Sequence, residues 1–414
     1  MSDLVPDGWS FSYLSELCKF AGGSAFNEKY QGCNVGDYPF IKVSDMNIAG
    51  NERFITKSNN WIDEKTRLEG KTKLFPSKSV VFAKVGAALL LNRRRILIRD
   101  TAIDNNMMAA TPYIDNGLFL YYLLQDIDLG DIVQSGAVPS VNQSQMDSIQ
   151  VLVPPLPEQQ KIAKILTSVD EVIEKTQAQI NKLKDLKTGM MQELLTNGIG
   201  HTEFKDSPVG RIPVEWEVVQ ISKLCIHVVD CVNKTAQVVD HKTPYKMIRT
   251  TNVRHGRVDT ENVRYVTKET FEAWTRRLLP EDGDLIFTRE APVGECGILN
   301  DSRGVFLGQR TMMYRADERL TSSQFLMYSI MSDYGKQQLE DFSGGSTVAH
   351  MRVPDCEKIL IKLPPLGEQN QIVASLNSID DCLIIKERKL SKSIDTKKAL
   401  MQDLLTGKVR VQSS

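Results

Sequence analysis

Two stretches of this chain are written twice. Val153-Pro-Pro-Leu-Pro-Glu-Gln159 returns as Leu363-Pro-Pro-Leu-Gly-Glu-Gln369, and Met191-Gln-Glu-Leu-Leu-Thr196 returns as Met401-Gln-Asp-Leu-Leu-Thr406. Both pairs lie 210 residues apart, so 44 residues align without a gap, and 17 of them are identical. A shared hydrophobic pattern does not produce that much identity, and a duplication does. The flanking sequence repeats more weakly. Val5-Pro-Asp-Gly-Trp9 matches Ile212-Pro-Val-Glu-Trp216, Pro39 to Asn47 matches Pro244 to Asn252, and Val81-Phe-Ala-Lys84 matches Ile286-Phe-Thr-Arg289. Met107-Met108 aligns with Met312-Met313, and Phe119 and Tyr122 align with Phe325 and Tyr328. Apolar, strand-like positions are kept while the residues between them diverge, as expected of two copies that share a fold and face different ligands.

The order is therefore globular, helical, globular, helical, with segments 1–152, 153–200, 201–362 and 363–414. In the globular parts, short apolar runs alternate with turn residues and predict strands, while Leu118 to Leu129 and Ser322 to Tyr334 read as helices. The class is α+β. Proline is tolerated in a first helical turn, so the Pro-Pro pairs mark entries to long helices. Apolar residues then fall at Ile162, Leu166, Val169, Ile173, Ile180, Leu183, Met190 and Leu194. In the second copy they fall at Ile372, Leu376, Ile379, Leu383, Leu390, Ile394, Leu400 and Leu404. Steps of mostly three and four make one stripe per helix, a coiled-coil seam. Gly198 and Gly407 lie just past the ends, where glycine is favoured. A helix over 158–196 would be roughly 58 Å long at about 1.5 Å per residue. A pseudo-two-fold relation between the copies pairs the helices antiparallel and predicts two α/β domains held apart by a rod. Such a spacer suits a reader of two half-sites, since major-groove faces recur about every 34 Å.

Net charge is only −1, which argues against a polycation that coats nucleic acid, but the charge is unevenly placed. Ala83 to Arg99 holds five basic residues and no acidic one, and so does His241 to Val258. Local basic patches on a neutral chain suit selective phosphate contact. No run of eighteen apolar residues occurs and the N-terminal sequence lacks a signal pattern, so a cytoplasmic protein with no membrane partner is expected. The seven cysteines are scattered without a CxxC pair, which reads as reduced thiols and not as a zinc site. The five histidines are isolated in sequence. Phosphate-loop, GxSxG, HExxH and GxGxxG motifs are missing, as is an Asn/Asp-Pro-Pro-aromatic methyltransferase signature. Pro354-Asp355-Cys356-Glu357-Lys358 has a nuclease-like composition but the wrong spacing. No catalytic, metal or cofactor-binding residue is expected in this chain.

The repeated (V/L)PPLxEQ, each followed by a long helix ending in MQ(E/D)LLT, resembles the specificity subunits of type I restriction-modification systems over essentially the whole chain. Ser135-Gly136, Ser343-Gly-Gly-Ser346 and Ala291-Pro-Val-Gly-Glu-Cys-Gly-Ile298 also resemble that family. The first domain departs from it at Val85 to Arg95, where an arginine-rich segment replaces a small glycine-rich turn. The resemblance implies two target recognition domains, each reading half of a bipartite site in double-stranded DNA. It also implies helices that dock two adenine-N6 methyltransferase subunits and, in the larger assembly, restriction/translocase subunits. S-adenosylmethionine, ATP and Mg would bind those partners.

Base edges are read by donors and acceptors presented at the groove, and phosphates mainly by Arg, Lys and small polar groups. The candidates in the first domain are Lys42, Ser44, Asp45, Asn47, Lys84, Arg93, Arg94, Arg95 and Ser135. In the second they are Arg249, Thr250, Asn252, Arg254, His255, Arg257, Arg289, Arg310 and Ser343. Two other readings are weighed beside this one: a coiled-coil scaffold without DNA reading, and an enzyme with a cryptic nuclease or methyltransferase site.

Overall fold

The two Pro-Pro pairs do open long helices, Leu156–Leu194 and Leu366–Leu405. The computed structural model describes residues 5–114, 116–133, 138–344 and 349–411. They divide into two compact units. One runs to Ala178 and takes up the chain again from Arg388, and the other is Gln179–Glu387. Each long helix thus gives one half to each unit, and no unit ends where a helix begins.

In the first unit the main sheet has five strands, in the order Cys18–Gly22, Met107–Pro112, Val80–Ala83, Arg94–Leu97 and Phe54–Ile55. A second sheet is built on Tyr38–Ile41 and Thr101–Ile103. Helix Gly117–Asp126 packs on the main sheet, and Ser10–Tyr13 pairs with Gln150–Val153 beside the entry to the first long helix. The second unit repeats this plan. Its main sheet runs Cys225–Asp230, Thr311–Ala316, Leu285–Arg289, Val293–Ile298, Gly256–Val258 and Val253–Arg254. Helix Ser323–Met331 packs on it, and Glu217–Gln220 pairs with Leu360–Leu363.

The registers correct the sequence alignment by one residue. Phe82 pairs with Met108, and its counterpart Phe287 pairs with Met312. Met108 therefore corresponds to Met312, and Met107 to Thr311. Side chains alternate across a sheet, so a slip of one would have sent each residue to the wrong face. Met108 and Met312 lie in the core under the helices, with Phe82 and Phe287.

The long helices run antiparallel within each unit. In the first, Glu158 meets Arg410 and Asp170 meets Lys397; in the second, Lys187 meets Asp380 and Gln179 meets Lys386. Ile162, Leu166, Leu404 and Leu405 enter the first core, and Leu195, Ile372 and Leu376 enter the second. The predicted stripe is tightest near the helix starts. Ile394, placed on it by the spacing, is 49% exposed.

Identical residues of the repeat make identical contacts. The indole N–H of Trp9 donates to Glu158 Oε2 at 3.0 Å, and that of Trp216 donates to Glu368 Oε2 at 3.0 Å. Gln159 donates to the Pro154 carbonyl and Gln369 to the Pro364 carbonyl, both at 2.9 Å, which satisfies carbonyls stranded before the first turn. The opposite carboxylate oxygens are met by the segment that follows the other long helix. Arg410 donates to both oxygens of Glu158 at 2.9 Å and Val411 N–H donates at 3.2 Å. Ile199 N–H and His201 Nε2 reach Glu368 Oε1 at 2.8 and 2.9 Å. Gly198 and Gly407 make that return possible. Both adopt positive φ, +70° and +72°, and a Cβ would sit 2.5 Å from Glu368 Oε1 or from Pro6.

A second repeated contact pins each globular part to both helices. Tyr122 donates to Asp170 at 2.8 Å, and Lys397 closes on the same carboxylate at 2.8 Å. Tyr328, Asp380 and Lys187 do the same at 2.7 and 2.6 Å. Burial and the neighbouring carboxylate push both phenols well above their ordinary value, so each remains a donor. No helix among the described residues is long and apolar enough to cross a membrane.

Removing a partly buried carboxylate leaves the Trp216 N–H and the His201 ring without their acceptor. Glu368→Ala should therefore destabilise the second unit by about 2–4 kcal/mol, read as a shifted urea midpoint followed by Trp216 fluorescence. Burial alone would raise the Glu158 carboxyl, but its bonds from Arg410, Val411 and Trp9 outweigh that and hold it below the ordinary value. Such a group contributes stability above the unfolded carboxylate value of about 4.3 and loses it as pH falls through the lower folded value. The stability gap between wild type and Glu158→Gln should be full at pH 7 and shrink towards pH 3. A gap that does not change with pH would contradict the assignment.

Candidate nucleic-acid interface

The candidate residues sort by burial. Lys42 N–H donates to Asp45 at 2.8 Å, and Arg249 N–H donates to Asn252 at 3.0 Å, so each pair closes the same short turn in its own copy. Asp45 is 0% exposed, also takes the Asn59 amide, and burial raises its carboxyl above the usual range. Asn252 is 4% exposed and donates to the Asn262 carbonyl. Expected at base edges, both instead hold turns. Lys42 lies over the Phe26 ring and donates to Gln31, while Ser44 is exposed and Thr250 half-buried on the turn surfaces.

The arginine triplet is split by strand alternation. Arg94 faces inward, 1% exposed, stacked over Phe82 and donating to the Ile127 carbonyl at 3.0 Å; burial pushes its guanidinium down to about 10. Expected to meet phosphate, it serves the core. Arg93 is exposed and hydrogen-bonds Asn47, and Arg95 donates to the Met46 carbonyl at 3.0 Å. The structure thus brings Asn47, Arg93 and Arg95 together at one surface. Lys84 projects over Gly22, where a Cβ would lie 2.9 Å from its Nζ.

In the second domain, Val253–Arg254 and Gly256–Val258 form a hairpin in which Arg254 faces Arg257. His255 and Gly256 both have positive φ, +51° and +82°, the conformation of a two-residue turn that matches strand twist. The hairpin extends the sheet by pairing Gly256 with Gly297, where a Cβ would sit 2.5 Å from the Arg257 backbone. Arg254, His255 and Arg257 border a groove of about 760 Å³ whose other side carries Lys184, Lys187, Asp380 and Asp381 of the long helices. Arg289 is buried and donates to the Met351 carbonyl at 3.2 Å, so it ties a strand to a loop and faces no groove edge. Arg310 is exposed, with φ +72°, and its Nε lies 3.1 Å from Glu290. The Ser343 hydroxyl donates back to the Leu339 carbonyl of its own helix, and Ser135 lies outside the described residues.

A family model described as the type I restriction modification DNA specificity domain matches residues 6–185 and again 213–395. The chain belongs to this DNA specificity family. It is similar to the type I restriction enzyme MjaVIII specificity subunit of Methanocaldococcus jannaschii, with 31% identity over 99% of this chain and 95% of that one. The EcoKI specificity subunit of Escherichia coli K12 is 20% identical over 98% of this chain and 89% of that protein. The solved S subunit of a type I restriction-modification system from M. genitalium shares the fold, with a TM-score of 0.60 at 11% identity over 97% of each chain. Each match of the specificity-domain model takes in one globular part and much of the long helix that follows it, as each compact unit also does.

Glu290 and His350, which join Arg310, escaped the sequence reading. The only available signal was that Lys84-Val85 in one copy stands where Arg289-Glu290 stands in the other. Burial separates the arginines experimentally. Arg94→Ala should cost about 2–4 kcal/mol in urea unfolding through the lost packing against Phe82 and the stranded Ile127 carbonyl, while Arg93→Ala should stay within about 0.5 kcal/mol. Equal effects would show that Arg94 is not in the core.

Proposed function

We propose that this chain is the non-catalytic, DNA-reading subunit of a type I restriction-modification assembly, each globular domain addressing one half of a bipartite duplex site. One observation carries the reading. A single frame occurs twice in a DNA specificity family, with buried contacts kept residue for residue and exposed loops that differ. Charge supports it as well. The chain is nearly neutral, yet Arg93 in one copy and Arg254 and Arg257 in the other stand near loop tips, where phosphates are met. Two relatives named as specificity subunits align along nearly the full length.

In this reading the chemistry resides elsewhere. Two methyltransferase subunits, docked on the long helices, transfer a methyl group from S-adenosylmethionine to adenine N6 on a base turned out of the duplex. Restriction/translocase subunits use ATP and Mg. The chain works in the cytoplasm, where DNA is found, and supplies selection.

Mapping methylated adenines in a host that carries the complete system tests the reading. Expected is one motif with two specified halves and an unread spacer, lost when this chain is deleted. Methylation that persists without the chain would refute it. Loop arginines that meet phosphate contribute to counterion release, so Arg93→Ala and Arg257→Ala should each reduce the slope of log affinity against log salt by about one. An unchanged slope would remove that arginine from the phosphate contacts.

A further inference from the structure

At three places the two copies share a backbone and differ together in side chain. The Arg289 N–H donates to the Arg310 carbonyl at 2.9 Å, as the Lys84 N–H donates to the Asn106 carbonyl at 2.9 Å. Met351 N–H donates to the Arg289 carbonyl and Val141 N–H to the Lys84 carbonyl, again both at 2.9 Å. Glu290 bridges His350 in antiparallel fashion, as Val85 bridges Ser140. These bonds establish that Glu290, Arg310 and His350 occupy the places of Val85, Asn106 and Ser140.

In the second domain the three side chains converge. Arg310 Nε is 3.1 Å from Glu290 Oε2, and His350 Nδ1 is 3.5 Å from the same oxygen. Glu290 is 18% exposed, whereas Arg310 and His350 are 48% and 43% exposed. The carboxylate is thus the sheltered member and the arginine the presented one. Its support is stiff. Thr288 Oγ1 donates to the Pro292 carbonyl at 2.6 Å and accepts the Glu295 N–H at 3.1 Å, fastening the loop that carries Glu290. Arg310 sits at positive φ, a conformation that costs a non-glycine residue energy and that persists where the surroundings impose it; its own N–H is tied to Cys231 Sγ at 3.2 Å. Neither Nη group of Arg310 hydrogen-bonds another described residue.

An arginine ion-paired to a carboxylate through Nε, with its Nη edge open, can turn that edge to two acceptors in one plane. Guanine offers such a pair, O6 and N7, on its major-groove edge, and no other base does. We infer that Arg310, positioned by Glu290 and flanked by His350, reads a guanine in the half-site of the second domain. The inference rests on the DNA-reading function proposed above and identifies a base-specific element within it. In the first domain the same places hold Val85, Asn106 and Ser140, none of them charged, so that half-site is read differently there.

The test uses the full chain in its assembly, selecting from a pool of randomised double-stranded DNA, with both half-sites scored in the same molecules. Arg310→Gly keeps the positive φ available, so the fold is retained. It should reduce the preference for guanine at one position of the second half-site by roughly tenfold or more, with the first half-site unchanged. Glu290→Gln keeps the shape but weakens the hold on the arginine. It should blunt the same preference at the same position, an effect that a purely structural role would not confine to one base. An unaltered base preference in both variants, beside a normal wild-type motif, would overturn the inference and leave the DNA-reading function standing. Loss of both half-sites in both variants would overturn it too, since the cluster would then serve the fold. A wild-type assembly that selects no two-part sequence would overturn both.

Discussion

Everything in each unit is organised around a carboxylate at the head of a long helix, buried at Glu158 and partly buried at Glu368. Glu158 and Glu368 each accept an indole N–H from their own copy and donors from the segment beyond the other long helix. A carboxylate out of water is costly unless its lone pairs are filled, so the contact cannot be half made. The entering chain, the start of one helix and the end of the other must be in place together. Further along the helices the Tyr–Asp–Lys contact repeats the principle and draws in the helix that lies on the sheet.

That constraint explains which residues the duplication kept. The identities between the two long-helix segments include Glu158, Gln159, Ile162, Leu166, Asp170 and Lys187, matched by Glu368, Gln369, Ile372, Leu376, Asp380 and Lys397. Each has a burial or bonding duty in both copies. Outside this frame nothing required agreement. Val85 could diverge from Glu290, Asn106 from Arg310 and Ser140 from His350 without disturbing the backbone bonds that hold all six. A scaffold that leaves its loop tips unconstrained is what a protein reading two unlike DNA halves requires.

Much of this was legible in the sequence. The duplication, the helix entries at Pro-Pro, the exit glycines and the antiparallel pairing all follow from local physical rules that a repeat reinforces. Where reading failed, the deciding quantity was tertiary. Strand register set Met108 and not Met107 opposite Phe82, which adjacent identical residues cannot reveal. Burial sent Arg94 inward between an exposed Arg93 and a half-buried Arg95, and it turned Asp45, Asn252 and Arg289 into internal supports. The Glu290–Arg310–His350 cluster joins residues up to 60 positions apart. Only the sheet brings them together.

The central claim is that one frame carries two interchangeable readers, and a graft tests it most directly. The strand pairs Ser10–Tyr13 with Gln150–Val153 and Glu217–Gln220 with Leu360–Leu363 mark equivalent cut points. A chain in which residues 217–363 replace residues 10–153, returned to its assembly, should select DNA made of two copies of the second domain's half-site. Selection of the original, unlike pair of half-sites by that chimera would contradict the account.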